Sequence, residues 1–260
     1  MLGLGSSLVG GGISADPVPG SLRLDGVGDY MNLRSMNSTM NNTFTLTYKM
    51  KWDNSSVTNH QISGMGKYGS SSGVIYMGLL SSAKFYGWFK VNNQTASNGS
   101  TVAMFTESNG VASPWVTFGL SVVLDIGNGY SGVRHYAQGN NRQSTYNVAS
   151  VQTANTENFD FGTNEFLVGA WMNNSGVQQW VNEGGLIAEV AVWKGYAFSE
   201  AEFDYIHDNP SVDYRTLSIP PAFLDSYFRF GEYGTDNLIS GGLTPLYAGD
   251  PTIDTEHPGG

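Results

Sequence analysis

The chain has 260 residues, of which 40% are hydrophobic, 13% aromatic and 13% charged, and its 12 Lys+Arg against 22 Asp+Glu give a net charge of −10. That length suffices for a sizeable core in one large or two small domains, while the acidic balance excludes the basic stripe that nucleic acid or an anionic membrane surface would need. Zero cysteines exclude disulfides, thiolate metal sites and cysteine nucleophiles. The 34 glycines, nearly double the usual ~7%, argue against a helical bundle, because glycine inside a helix costs about 1 kcal/mol relative to alanine.

Residues 1–20 combine Leu2, Leu4, Leu8 and Val9 with glycine and end in Pro17, Pro19 and Gly20. This composition predicts an extended arm, too poor in contiguous apolar surface to fold alone, that orders against a partner through those four side chains. No basic n-region with a following apolar stretch marks a signal peptide, and no uncharged apolar run reaches the ~18 residues of a membrane helix.

The body, residues 21–235, alternates with period two. In residues 44–52, Phe44, Leu46, Tyr48, Met50 and Trp52 alternate with Thr45, Thr47, Lys49 and Lys51, the pattern of a strand with one buried face. Residues 116–126 repeat it with Val116, Phe118, Leu120, Val122 and Leu124, and residues 186–193 with Leu186, Ala188, Val190 and Val192 on one face and Glu189 on the other. Shorter strands are expected at 21–25, 74–80, 85–91, 133–137, 165–170 and 226–230, separated by Gly/Asn/Ser turn clusters. One segment departs from this pattern: Ser199-Glu-Ala-Glu202 is a capping box, and Phe203, Ile206 and Asn209-Pro210 supply an apolar edge and a stop, predicting a helix over Glu200–Asp208. Many antiparallel strands with one short helix predict an all-β, antiparallel β-sandwich of the jelly-roll type. Residues 236–260, rich in proline and glycine, are expected to form an irregular C-terminal extension.

Motif matches are products of glycine abundance. Gly127-Asn-Gly129-Tyr-Ser-Gly132 fits a dinucleotide fingerprint, but the following Val133-Arg-His-Tyr-Ala is a strand and not a helix, so a hairpin turn is expected. Gly69-Ser-Ser71-Ser-Gly73 likewise lacks the helix of a nucleophile elbow. His60, His135, His207 and His257 have no zinc spacing; His207 ends the helix, where a cation suits the dipole. No strand carries the paired carboxylates of a glycosidase, and neither Glu157 with Asp160 nor the acids of the helix's first turn supply them, so no catalytic residue is assigned. No cofactor is assigned either. Calcium is the one metal that the loop chemistry suits, with Asp125, Asn128 and Asn173 as contributors, yet no spacing places it. Trp171 beside Asn173 and Asn174 has the composition of a glycan platform with amide donors.

Ser21-Leu-Arg-Leu-Asp-Gly-Val-Gly-Asp-Tyr resembles the opening strand of concanavalin A-like lectin/glucanase (laminin-G-like) domains, and Phe44-Thr-Leu-Thr-Tyr-Lys-Met-Lys their second element. Pro114-Trp-Val-Thr-Phe-Gly-Leu is similar to their central tryptophan-then-strand segment, Glu165-Phe-Leu-Val-Gly-Ala to the short strand after it, and the run from Gly185 to Phe203 to their strand, connection and capped helix. Ser226-Tyr-Phe-Arg-Phe-Gly-Glu resembles the closing strand. The resemblance covers residues 21–235, implies two curved antiparallel sheets and transfers no catalytic or calcium residue. Met1-Leu-Gly-Leu-Gly-Ser-Ser-Leu-Val-Gly-Gly-Gly resembles the start of marine tailed-phage virion proteins that carry such a domain. That resemblance implies a non-enzymatic virion structural protein, a capsid decoration or tail component anchored by its arm. It would be assembled in the host cytoplasm as a homo-oligomer with other virion proteins as partners, without nucleic acid or membrane insertion. The alternative is a module binding host-surface polysaccharide, and a glycoside hydrolase ranks below both.

Overall fold

The period-two pattern of residues 44–52 does bury one face in a core, and the chain builds two antiparallel sheets around that core. The computed structural model describes residues 17–25, 28–35, 43–55, 61–65, 74–91, 94–127, 130–149, 165–173, 176–179, 184–242 and 244–260. Its strands are β1 (Ser21–Leu24), β2 (Tyr30–Ser35), β3 (Thr43–Trp52), β4 (Gln61–Met65), β5 (Val74–Leu80), β6 (Lys84–Val91), β7 (Gln94–Ala103), β8 (Val116–Gly127) and β9 (Tyr130–Gln138). There follow β10 (Arg142–Ala149), β11 (Glu165–Val168), β12 (Ala170–Asn173), β13 (Gly176–Gln179), β14 (Gly185–Lys194), helix α1 (Glu200–Asp208), β15 (Leu224–Phe228), β16 (Leu246–Ala248) and β17 (Thr252–Asp254). One sheet runs β10-β9-β8-β3-β14-β1-β17 with β15 also on β14, the other β16-β2-β11-β4-β5-β6-β7, and β12-β13 form a separate hairpin. This is the predicted all-β sandwich, with one short α-helix among the described residues.

The inter-sheet core takes Phe44, Leu46, Tyr48, Met50 and Trp52 from β3 and Val116, Phe118, Leu120 and Val122 from β8, as the alternation predicts. The opposite face of the first sheet departs from the expected solvated surface. A second apolar cluster, including Ala191, Trp193, Phe198, Phe203, Ile206, Tyr214 and Tyr227, covers it, so Thr45, Thr47 and Lys49 are buried as well. Helix α1 seals part of this face; its capping box forms as predicted, with the Glu202 N–H donating to the Ser199 hydroxyl and the Ser199 N–H to the Glu202 carboxylate.

Strand β14 corrects the sequence reading. Ala188 faces Lys49 and Ala191 faces Thr47, so Glu189 and Val190 together oppose Tyr48 in a β-bulge. Glu189 has φ 52°, in the left-handed region. The extra residue shifts the side-chain alternation by one: Ile187, Val190 and Val192 point into the inter-sheet core, and Leu186 and Ala188 do not share their face.

The segment 236–260, expected to be irregular, contributes β16 to the edge of one sheet, beside β2, and β17 to the edge of the other, beside β1. Two ion pairs tie the tail down: Arg23 to Asp254 at 2.8 Å, and Lys51 to Glu256. Where the lead-in to β1 crosses the residues after β15, two glycines meet backbone on backbone: a Cβ on Gly20 would lie 2.6 Å from the Gly231 Cα, and Gly231 has φ +66°. The predicted β8–β9 hairpin forms, with Gly127 paired to Tyr130, in place of a cofactor loop.

Candidate functional site

Strand β14 changes edge partner along its length, with β1 beside Gly185 to Ile187 and β15 beside Val190 to Trp193. Glu189 stands at that seam, and the bulge turns its carboxylate into a buried polar network. Glu189 Oε1 accepts from Arg229 Nε at 3.1 Å and pairs with His257 Nε2 at 2.5 Å, while Oε2 accepts from the Tyr227 hydroxyl. The Gly259 N–H donates to His257 Nδ1 at 3.1 Å, which assigns the ring proton to Nε2, donating to Glu189. Glu189 is 0% exposed. Burial and the Glu189 charge push the Tyr227 hydroxyl well above the usual phenol range. On the same buried face, Lys49 Nζ donates to the Ile206 carbonyl at 2.8 Å; burial lowers its pKa to about 8 against the opposing pull of Glu189.

Arg229 carries the network outward. Its Nη1 donates to Asp213 at 3.3 Å and its Nη2 to the Ser211 carbonyl at 2.6 Å, and Arg215 clamps Asp213 through Nε and Nη2 at 3.0 and 2.6 Å. Burial opposes ionisation of Asp213, but the side-chain and backbone hydrogen bonds from Arg215 outweigh it and hold the carboxyl below its ordinary range. Both guanidiniums lie over the Tyr233 ring, at 5.8 Å for Arg215 and 5.7 Å for Arg229. Asp213, Arg215, Arg229 and Tyr233 line a cleft of about 960 Å³ together with Val18 and His257. Val18 is fixed there by its N–H to Glu232 at 2.8 Å and by the Glu232 N–H to its carbonyl at 2.9 Å.

A separate acidic group lies between the β1–β2 connection and the β16–β17 connection. One carboxylate oxygen each from Asp25, Asp29 and Asp250 lie within 4.8 Å of one another. Asp29 accepts the Asp25 N–H at 2.9 Å and the Asp250 N–H at 3.0 Å, and Gly249 passes so close that a Cβ would overlap its carboxylate. The donor set is hard oxygen, the chemistry of calcium, so these residues could hold a cation. Their hydrogen bonds also give Asp29 a role of its own, tying the tail to the first connection. Asp29→Ala is therefore expected to lower stability by about 1–3 kcal/mol in urea unfolding with or without calcium present.

The residues singled out from sequence fall only partly within the described residues. Trp171 and Asn173 belong to β12, paired with Gln178 and Gly176 of β13, and Asn174 lies outside the described residues. Asp125 is on β8, and Asn128 lies outside the described residues, as do Leu2, Leu4, Leu8 and Val9 of the arm. Sequence reasoning missed Glu189, Arg229, Asp213 and His257 as a group. The available signal was the single charged residue within Leu-Ile-Ala-Glu-Val-Ala-Val-Trp.

No protein-family model matches the chain, and no curated protein matches it. Among solved structures it is similar to the heptameric SAP-like pentraxin from Limulus polyphemus, at 12% identity over 93% of this chain and 91% of that one, with a TM-score of 0.42. It is also similar to the LG1-3 region of the laminin alpha2 chain, at 14% identity over 67% of this chain and 31% of that one, TM-score 0.44. A third is the CBM40 of Ruminococcus gnavus IT-sialidase bound to alpha2,6 sialyllactose, at 13% identity over 72% and 96%, TM-score 0.44. The chain thus spans about a third of the laminin region and most of the other two. At such identities the likeness concerns fold.

Proposed function

We propose that the protein is a non-enzymatic, lectin-like binding module, carried on a tailed-phage virion by its N-terminal arm and presenting its sandwich to host-surface glycan. The observation that carries the binding reading is the cleft: its charged groups are held in fixed geometry, and the buried carboxylate behind it accepts from Arg229, Tyr227 and His257 at once. A carboxylate so occupied suits a scaffold better than a general acid or base, which must exchange its proton with substrate. The virion reading is supported by the resemblance of residues 1–12 and by the seating of Val18. Residues 17–20 are bonded to the domain, so whatever residues 1–16 hold is coupled directly to the sandwich. Capsid or tail shell is the proposed partner and a homo-oligomer the proposed state.

A glycan panel probed with the full chain, with and without calcium, tests the binding reading. Retention of a glycan class without cleavage is expected; a blank panel overturns the reading, and release of hydrolysis products overturns its non-enzymatic part. The chain lacking residues 1–16 is expected to melt at the temperature of the full chain yet be missing from particles. Normal incorporation of that deletion would sink the anchoring role.

A further inference from the structure

We infer that the cleft beside Arg215 binds a carboxylate-bearing sugar, an inference that rests on the lectin-like reading and names its ligand class. Hydrogen-bond inventory decides the chemistry. A guanidinium has five N–H donors and no acceptor. Arg229 directs Nε to Glu189, Nη1 to Asp213 and Nη2 to the Ser211 carbonyl, and its side chain is 7% exposed. Arg215 spends Nε and one Nη2 hydrogen on Asp213 and is 41% exposed. Among the described residues, its Nη1 group and its second Nη2 hydrogen remain for a ligand.

The two carboxylates that the guanidiniums face are in the opposite condition. Asp213 accepts from the Arg215 N–H, from Arg215 Nε and Nη2 and from Arg229 Nη1, and Glu189 lies beneath with both oxygens engaged. The spare capacity is thus a guanidinium edge, which matches a planar carboxylate in a two-bond fork. Tyr233 supports both guanidiniums from its ring, so the fork is oriented before a ligand arrives and less side-chain entropy is lost on binding. A cleft of about 960 Å³ is at the upper end of small-ligand sites, roughly 300–1,000 Å³, and far exceeds a lone carboxylate. Ser211 and Thr216 also line the cleft; their hydroxyls already donate to the Gly259 and Asp213 carbonyls and keep lone pairs that can accept from the ring hydroxyls of a saccharide.

The test titrates the full chain and Arg215→Met with oligogalacturonate, its methyl ester, a neutral galactan and acetate, by calorimetry. Oligogalacturonate is expected to bind, with the ester and acetate at least tenfold weaker, and Arg215→Met, which also releases Asp213 from its clamp, is expected to weaken oligogalacturonate at least tenfold while still unfolding cooperatively. Equal affinity of the two proteins, or of acid and ester, overturns the assignment; acetate binding as tightly as the oligomer overturns its saccharide part. If galactan, or any glycan retained on the panel above, binds both proteins alike while oligogalacturonate fails, the lectin-like reading stands and the cleft assignment falls. If no glycan binds either protein, both fall.

Discussion

Replacing Glu189 with alanine is expected to cost about 3–5 kcal/mol of folding stability, because removal of one partner from a buried ionic group leaves the other without compensation. The variant would strand Arg229 Nε, the Tyr227 hydroxyl and His257 Nε2 away from water. Alanine at φ 52° would also retain the backbone strain, so Glu189→Gly should be the milder of the two by roughly 1 kcal/mol. Urea unfolding measures both, and limited proteolysis supplies an independent readout. His257 follows β17, so loss of its acceptor should expose the tail to cleavage while the rest of the sandwich stays resistant. A cost below about 1 kcal/mol for Glu189→Ala would mean that the network is incidental to the fold.

Replacing His135 with leucine is expected to remove much of the protein's sensitivity to mild acid. His135 lies on β9 at 0% exposure, packed against Phe85 and beneath Gly87, and neither ring nitrogen has a hydrogen-bond partner among the described residues. Burial lowers its pKa to about 4, against about 6.5 in an unfolded chain. Between those values the unfolded chain binds the proton and the folded one does not, so stability falls as pH falls from 6.5 towards 4. The loss amounts to about 3 kcal/mol once pH is below both values. His207, whose pKa burial also lowers, acts in the same direction, and Asp213 and Asp254, held low, lose their contribution only in stronger acid. Unfolding midpoints of wild type and His135→Leu at pH 7 and pH 4.5 isolate the histidine. The gap should widen in favour of leucine at the lower pH, and a gap independent of pH would refute the account.

Most of the sandwich was legible because its signals are local. Phe44 to Trp52 alternate over a whole strand, and Ser199 with Glu202 caps α1 by contacts three residues apart. The candidate site was not legible in the same way. Glu189, Asp213, Arg229 and His257 come from four separate segments, and no spacing rule links a glutamate to a histidine 68 positions away. The acidic trio has the same character, since Asp25 and Asp29 are neighbours in sequence but Asp250 reaches them only because β16 and β17 cross to the opposite end of the chain.

By itself the amino-acid sequence determined an acidic, disulfide-free, all-β chain with one capped helix, since turn chemistry, period-two burial and capping act over a few residues. Tertiary structure alone decided which side of β14 each residue faces, because a single left-handed residue at Glu189 reverses the alternation beyond it. It decided also that the tail belongs to both sheets and that two arginines meet over Tyr233 beside an occupied carboxylate. Those outcomes depend on strand pairing and desolvation between distant segments, and these free energies exist only once the chain has closed on itself.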